Sequence, residues 1–347
     1  MKTQASTFQA LSAAACAAAV LALVVLPHAV LAATAAIAAG PAATPSDPAA
    51  LGGYNVLIAD RGNNRVLLVG PDKSILWEYD FTGLAHSTGA DDAFFADGGK
   101  SVIVSLEHQQ VVQIIDVASK TVTWQYGELG KRGAKDGLLN FPDDAYQLLN
   151  GDISVADIRN CRILEIAPDK TIVRQAGLTD RCGSQAPLLA SPNGDTPLPD
   201  GRMLVSTIRD HAMTELDAAW KPILKLDLPI RYPSDPQMTK AGNFLIASYT
   251  RPGSIIEIDS AGGVVWDYAA AGSGRLNRPS LAIELPNGNI MANDDLNHRV
   301  IVIDKATKTI LWQYGVTGQR GSAPGYLAIP DGLDIIKADA TAADSHG

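Results

Sequence analysis

The sequence predicts an all-β protein: a six-bladed β-propeller of four-stranded antiparallel blades, closed by a C-terminal inner strand that pairs with N-terminal strands. Three observations predict it. A unit D-x-x-N-x-R-V/I recurs along the chain, a strand ending in Trp follows most copies, and the two chain ends supply complementary parts of one repeat.

The recurring unit reads "DRGNNRV" (Asp60, Asn63, Arg65), "DIRNCRI" (Asp157, Asn160, Arg162) and "DDLNHRV" (Asp294, Asn297, Arg299). Degenerate copies start near Leu106 ("LEHQQVV"), Thr207 ("TIRDHAM") and Ser248 ("SYTRPGSI"). The six copies are separated by 46, 51, 50, 41 and 46 residues. That period fits a propeller blade. Each Asp ends a strand, so its carboxylate can accept backbone N–H bonds in the turn that follows. The Arg five residues on can pair with it, and Asn tolerates a left-handed turn conformation. Asp60 with Arg65, Asp157 with Arg162 and Asp294 with Arg299 are therefore read as hairpin clasps.

After each copy comes an apolar strand, a polar turn and a further strand, as in "IDVASKTVTWQYG" and "IDKATKTILWQYG". Trp77, Trp124, Trp266 and Trp312 fall at one register of this outermost strand, which suits packing between neighbouring blades. Arg174 and Lys225 replace them in the third and fourth copies. Before the next copy lies an apolar strand with a Gly-containing turn, as in "AYQLLNGDISVAD"; Asn-Gly between alternating apolar runs is a strong hairpin signal. Each repeat thus holds four short strands. Six such sheets bury both faces only when stacked radially. The last segment, "YLAIPDGLDIIKAD", matches a first strand, and "GYNVLIADRGNNRV" matches a second. Pairing them closes the ring and removes free edges.

The phrase "WQYGELGKRG" (Trp124–Gly133) returns as "WQYGVTGQRG" (Trp312–Gly321). Its glycines let the chain leave the rim and cross to the next inner strand. "VLIADRGNNRVLLVG" and "YGELGKRG…LNFPDDA" resemble NHL repeats, a family of six-bladed propellers. The "ILWQYG" endings are also similar to repeats of quinoprotein-type and arylsulfotransferase-type propellers. The resemblance spans about Leu51 to Asp339. The arylsulfotransferase likeness implies a candidate catalytic histidine, His86 in "LAHSTGADDA"; its other reading is a plain loop residue. Quinoprotein enzymes hold their cofactor between an aromatic group and a cysteine pair, and no such constellation is present, so a bound quinone is not expected. Zinc lyases of this fold use several channel histidines, and no equivalent set can be placed.

Loops carry function when a rigid scaffold holds them. In a propeller, the crossovers and the second-to-third strand turns share one face. That face should carry Lys131, Arg132, Arg159, His108, His211, Arg251, His298 and Arg320 as ligand-binding candidates. Small acidic phrases precede the inner strands: Asp91 and Asp92 in "GADDA", Asp143 and Asp144 in "FPDDA", Asp235 in "YPSDP" and Asp331 in "IPDGL". Inner strands line the channel. Asp91, Asp143, Asp235 and Asp331 are therefore candidate ligands for Ca²⁺ or Mg²⁺ at its mouth, the alternative being Asp residues that cap local turns.

The chain has 347 residues and a formal charge of −9. An acidic surface argues against nucleic acid as a partner. The N-terminus, with no charge between Lys2 and Asp47, reads as a signal peptide over residues 1–32, then a flexible linker over 33–50. The propeller follows over 51–339, then a disordered tail over 340–347. The expected location is periplasmic or secreted, with a membrane association only if the apolar N-terminus stays uncleaved. In such a compartment Cys161 and Cys182 could pair; two separate thiols is the other reading. The expected function is a binding scaffold for a protein, peptide or small ligand. The alternative is an enzyme at the channel mouth, either a metal-dependent lyase or hydrolase or a sulfotransferase-like one through His86.

Overall fold

The structure, a computed structural model, describes residues 44–81, 83–84 and 89–338. Six four-stranded antiparallel sheets form a ring, the six-bladed β-propeller that the repeats predict. From axis to rim, blade 1 runs Pro330–Lys337, Tyr54–Asp60, Arg65–Val69 and Ile75–Asp80. Blade 2 runs Ala93–Ala96, Ser101–Leu106, Val111–Asp116 and Thr121–Gly127. Blade 3 runs Pro142–Gln147, Ile153–Asp157, Arg162–Ile166 and Ile172–Gly177. Blade 4 runs Pro192–Pro197, Met203–Thr207, Ala212–Leu216 and Pro222–Asp227. Blade 5 runs Pro233–Met238, Phe244–Ser248, Ser254–Ile258 and Val264–Tyr268. Blade 6 runs Ala282–Glu284, Ile290–Asp294, Arg299–Ile303 and Ile310–Gly315. Among the described residues, helical geometry is confined to single 3-10 turns, and no helix is long and apolar enough to cross a membrane.

Closure follows the expected pairing. Tyr54 lies opposite Lys337, Val56 opposite Ile335 and Ile58 opposite Leu333. The second and third strands are buried along nearly their whole length because a neighbouring blade covers each face, as in Ile153–Asp157 and Arg299–Ile303. The outer strands are more open, alternating between half-buried and exposed side chains in Pro222–Asp227, except in blade 6, where Trp312 to Gly315 are buried. The core therefore lies in the seams between blades. One cluster joins Leu51, Ile58, Ile103, Val155, Leu164, Val300 and Trp312.

The three clasps share one geometry. Nε of Arg65, Arg162 and Arg299 donates to Oδ2 of Asp60, Asp157 and Asp294 at 2.7, 2.8 and 2.8 Å. Nδ2 of Asn63, Asn160 and Asn297 donates to the same oxygens at 2.7, 2.7 and 2.8 Å. The other carboxylate oxygen accepts the backbone N–H of Ala328, Asn140 and Asn277, at the end of each incoming crossover. Each clasp thus ties a turn to the loop that feeds the same blade's inner strand. The crossovers themselves need glycine where they leave the rim. Gly127 and Gly315 have φ of +93° and +90°, and a Cβ there would strike the carbonyl oxygens of Gln110 and His298;.

The tryptophans latch blade to blade. Nε1 of Trp77, Trp124, Trp266 and Trp312 donates to the carbonyl of Val117, Pro168, Lys305 and Pro71 in the following blade, at 2.8 to 3.0 Å. Arg174 performs the same task, donating to Ala218 O at 2.6 Å with its guanidinium over the Trp220 ring. Lys225 does not: its ammonium turns to Asp210 and Ser184. Cys161 and Cys182 are joined by a disulfide, Cα–Cα 5.2 Å, which pins the turn of blade 3 to the crossover leaving it. The described chain joins the propeller earlier than residue 51. Asp47 N–H donates to Leu311 O and Gln313 N–H to Pro45 O, so residues 45–47 lie along the rim of blade 6.

Candidate functional site

Each inner strand starts at the channel mouth with an aligned phrase: "ADDA" (90–93), "PDDA" (142–145), "PNGD" (192–195), "PSDP" (233–236), "PSLA" (279–282) and "PDGL" (330–333). Against the second strand, register shifts between Pro142 and Ala145, between Pro192 and Gly194, and between Ser234 and Gln237. A bulge breaks the strict up-and-down alternation and re-aims side chains. That is why Asp143 lines the mouth while the next residue, Asp144, still reaches Asp92 and Asp235. A second tier comes from the residue immediately after each second strand. Blades 1, 2, 5 and 6 place Arg61, Glu107, Tyr249 and Asp295 there; blades 3 and 4 place Ile158 and Ile208.

The two tiers enclose a cavity of about 200 Å³. Six carboxyl side chains line it (Asp91, Asp92, Glu107, Asp143, Asp235 and Asp331) with one guanidinium, Arg61, and the hydroxyls of Tyr232, Tyr249, Ser234 and Ser280. The Tyr232 and Tyr249 rings lie 5.2 Å apart. Larger hollows of about 360 and 330 Å³ flank Trp220 at the seam of blades 3 and 4. Neither gathers ionisable groups as the mouth does.

Charge at the mouth is unevenly matched. Arg61 forms ion pairs with Asp91, with Glu107 at 2.7 Å and with Asp331 at 2.8 Å. Burial works against its charge, but these three carboxylates outweigh it and raise its pKa. Burial likewise opposes the Glu107 charge, yet bonds from His108 and Arg61 hold that carboxyl below its ordinary value. Elsewhere such help is outweighed: burial and the neighbouring Asp331 raise even the Asp91 carboxyl, despite its pairing with Arg61. Burial first, then neighbouring carboxylates, push Asp92, Asp143, Asp144 and Asp235 well above the usual range;. Burial, and after it the neighbouring carboxylates, raise the Tyr232 and Tyr249 hydroxyls.

The four acids proposed from sequence, Asp91, Asp143, Asp235 and Asp331, do converge here. The basic and histidine candidates do not line the cavity. Lys131 pairs with Glu128 at 2.7 Å. The Arg159 guanidinium sits 3.5 Å from the Phe141 ring centroid. Arg320 donates to Gly62 O at 3.0 Å, joining blade 6's crossover to blade 1. Arg132 and Arg251 are exposed in their loops. His211 and His298 serve as latches: Nδ1 accepts the N–H of Tyr232 and of Ile329, each in the crossover to the next blade. Gln110 plays the same part toward Phe141. His108 stands closest to the mouth, with Nδ1 3.2 Å from Glu107. His86 lies outside the described residues.

Several residues of the mouth were passed over in the sequence. Arg61 and Asp295 are the first x of D-x-x-N, a position that varies while its frame repeats. Such variability within a conserved-looking frame is the signal that could have found them. Asn193 carries no such signal, because Asn-Gly reads as a turn.

No protein-family model matches the chain, and no curated protein matches it by sequence; the NHL likeness therefore rests on the repeats alone. Solved structures do match. A protein of unknown function from Bacteroides caccae aligns with a TM-score of 0.60 at 15% identity, covering 82% of this chain and 99% of that one. A chain of the nidogen/laminin complex aligns at 0.58 and 14% identity, with the same coverages. A catalytically inactive virginiamycin B lyase from Staphylococcus aureus, solved with quinupristin, aligns at 0.52 and 14% identity, covering 74% and 83%. At these identities the likeness establishes one thing: this chain shares the six-bladed propeller backbone with proteins of diverse purpose.

Proposed function

We propose that the protein is a periplasmic or secreted binding propeller that captures a positively charged ligand in the acidic mouth of its channel. One observation carries this reading: six carboxyl side chains surround a cavity that holds a single guanidinium. Asp91, Glu107 and Asp331 already clasp Arg61, a protein cation, which supports this reading. Asp143 and Asp235 face the same space without such a partner. Tyr232 and Tyr249 add hydroxyls, whose oxygens can accept hydrogen bonds from an ammonium or guanidinium group;. The Cys161–Cys182 disulfide supports an oxidising compartment;.

Agmatine, which carries both an ammonium and a guanidinium group, is a direct probe. Titration calorimetry should show saturable binding that weakens as salt rises, while citrate should not bind. Asp143→Asn and Glu107→Gln should each weaken agmatine binding roughly five- to tenfold, in line with the loss of one charge-assisted hydrogen bond. Unchanged affinity in both variants would refute the assignment of the mouth as the binding site.

A further inference from the structure

We propose that Asp92, Asp144 and Asp235 form a Ca²⁺ site at the inner end of the mouth. They come from three different blades, at the start of the inner strands of blades 2, 3 and 5. Their carboxylate oxygens lie within 4.8 Å of one another. A cation between them, contacting each at about 2.3–2.6 Å, spans that separation with little movement. All three side chains are buried, at 3%, 0% and 2% of full exposure.

An acidic cluster alone would say little, but two oxygens here stand out. Asp92 Oδ1 and Asp144 Oδ1 are buried and have no hydrogen-bond partner outside the cluster; the two carboxyls face each other at hydrogen-bond range, which they can hold only by sharing a proton or a cation. Buried carboxylate oxygens are ordinarily hydrogen-bonded, ion-paired or bound to metal. No Lys, Arg or His among the described residues forms an ion pair with any of the three acids; the one cation nearby, Arg61, is committed to Asp91, Glu107 and Asp331. A second acidic group, Asp91 with Glu107 and Asp143, contains two of Arg61's partners and so already has a cation in contact with it. The Asp92–Asp144–Asp235 group is the one that calls for an outside ion. A divalent ion answers three carboxylates with two charges and brings no carbon stem into a closed space. All-oxygen donors favour a hard cation. Donors fixed on three separate strands suit the adaptable shell of Ca²⁺ better than the short, strict octahedron of Mg²⁺.

This inference rests on the mouth being a cation site, and its test separates the two. The full-length protein, freed of metal with EDTA and dialysed, is titrated with CaCl₂, MgCl₂ and, separately, agmatine. The expected result is one Ca²⁺ per chain by calorimetry and elemental analysis. Saturating Ca²⁺ should raise the melting temperature by on the order of 5 °C, and Mg²⁺ should bind at least tenfold more weakly. Asp144→Asn and Asp235→Asn should each lower Ca²⁺ affinity at least tenfold, yet melt no lower than the metal-free wild type, because each removes an uncompensated buried charge. A measurement on the unaltered chain guards against a variant that fails to fold. The Tyr146 hydroxyl lies 3.5 Å from Asp144 Oδ2, so Tb³⁺ at the site should show tyrosine-sensitised emission that Ca²⁺ displaces. If Ca²⁺ neither binds nor shifts melting while agmatine binds, the Ca²⁺ site is wrong and the cationic mouth stands, its deeper acids being held by protons. If neither binds, both are wrong.

Discussion

Asp334 shows how the channel treats a single charge. It lies on the inner strand of blade 1, where its two oxygens accept the N–H of Phe95 at 2.8 Å and of Ile335 at 2.7 Å. Burial nonetheless outweighs those bonds and pushes its carboxyl up to about 6. A folded-state value above the unfolded one means that the proton favours folding. That contribution is complete below about pH 4 and is lost as pH rises through 6. The size of the shift corresponds to roughly 2–3 kcal/mol. Asp334→Asn cannot ionise, but its single carbonyl oxygen serves only one of the two N–H donors, at a cost of about 1 kcal/mol. The variant should therefore melt below wild type at about pH 3 and above it at pH 7.5;. Melting curves that stay parallel across this range would show that Asp334 is not the group responsible.

At the scale of elements, the seam between blades is where stability is made or lost. Five of the six outer strands reach the next blade through an indole or a guanidinium, and blade 4 does not, since Lys225 turns back to Asp210. Trp124→Phe keeps an aromatic ring against Tyr126 but removes the N–H that reaches Pro168. It should lower stability by about 1–2 kcal/mol, seen as a lower urea midpoint with an unchanged slope; no change would mean the indole bond contributes nothing. Repetition is why these elements could be read from the sequence. Asp60, Asp157 and Asp294 recur with the same partners at the same spacing because the same hairpin is built three times. The mouth was only half legible for the opposite reason. Its acids stand in phrases that repeat, but Arg61, Glu107, Tyr249 and Asp295 differ from blade to blade, and a search for repeats discards what differs. His211 and His298 looked like ligand groups because a histidine in a loop draws attention. Only the structure reveals that the same position in blade 2 is filled by Gln110, which makes the same bond to the next blade and marks the job as mechanical.

The whole molecule depends on one junction between distant parts of the chain. Leu333 lies opposite Ile58, some 275 residues earlier. The entropy of closing so long a loop grows only logarithmically. Relative to closing a single blade of about 47 residues, the added cost is about 1.6 kcal/mol. An eight-residue strand, Pro330–Lys337, hydrogen-bonded along one edge and packed in the channel, comfortably exceeds that, so the ring is favoured over an open stack. The same strand carries Asp331, which holds Arg61, and Gly332, whose lack of a side chain lets it approach Asp92. Closure and the acidic mouth are thus built by one segment, and removing it should damage both. A chain ending at Ile329 should expose the edge of Tyr54–Asp60, melt at least 10 °C lower or associate through that edge, and lose agmatine binding. A synthetic peptide spanning residues 328–338, added in trans, should restore part of the melting temperature by re-forming the pairing. A truncated chain that melts like the full one, with the peptide inert, would mean that the ring is held shut by its seams alone and that the terminal strand is dispensable.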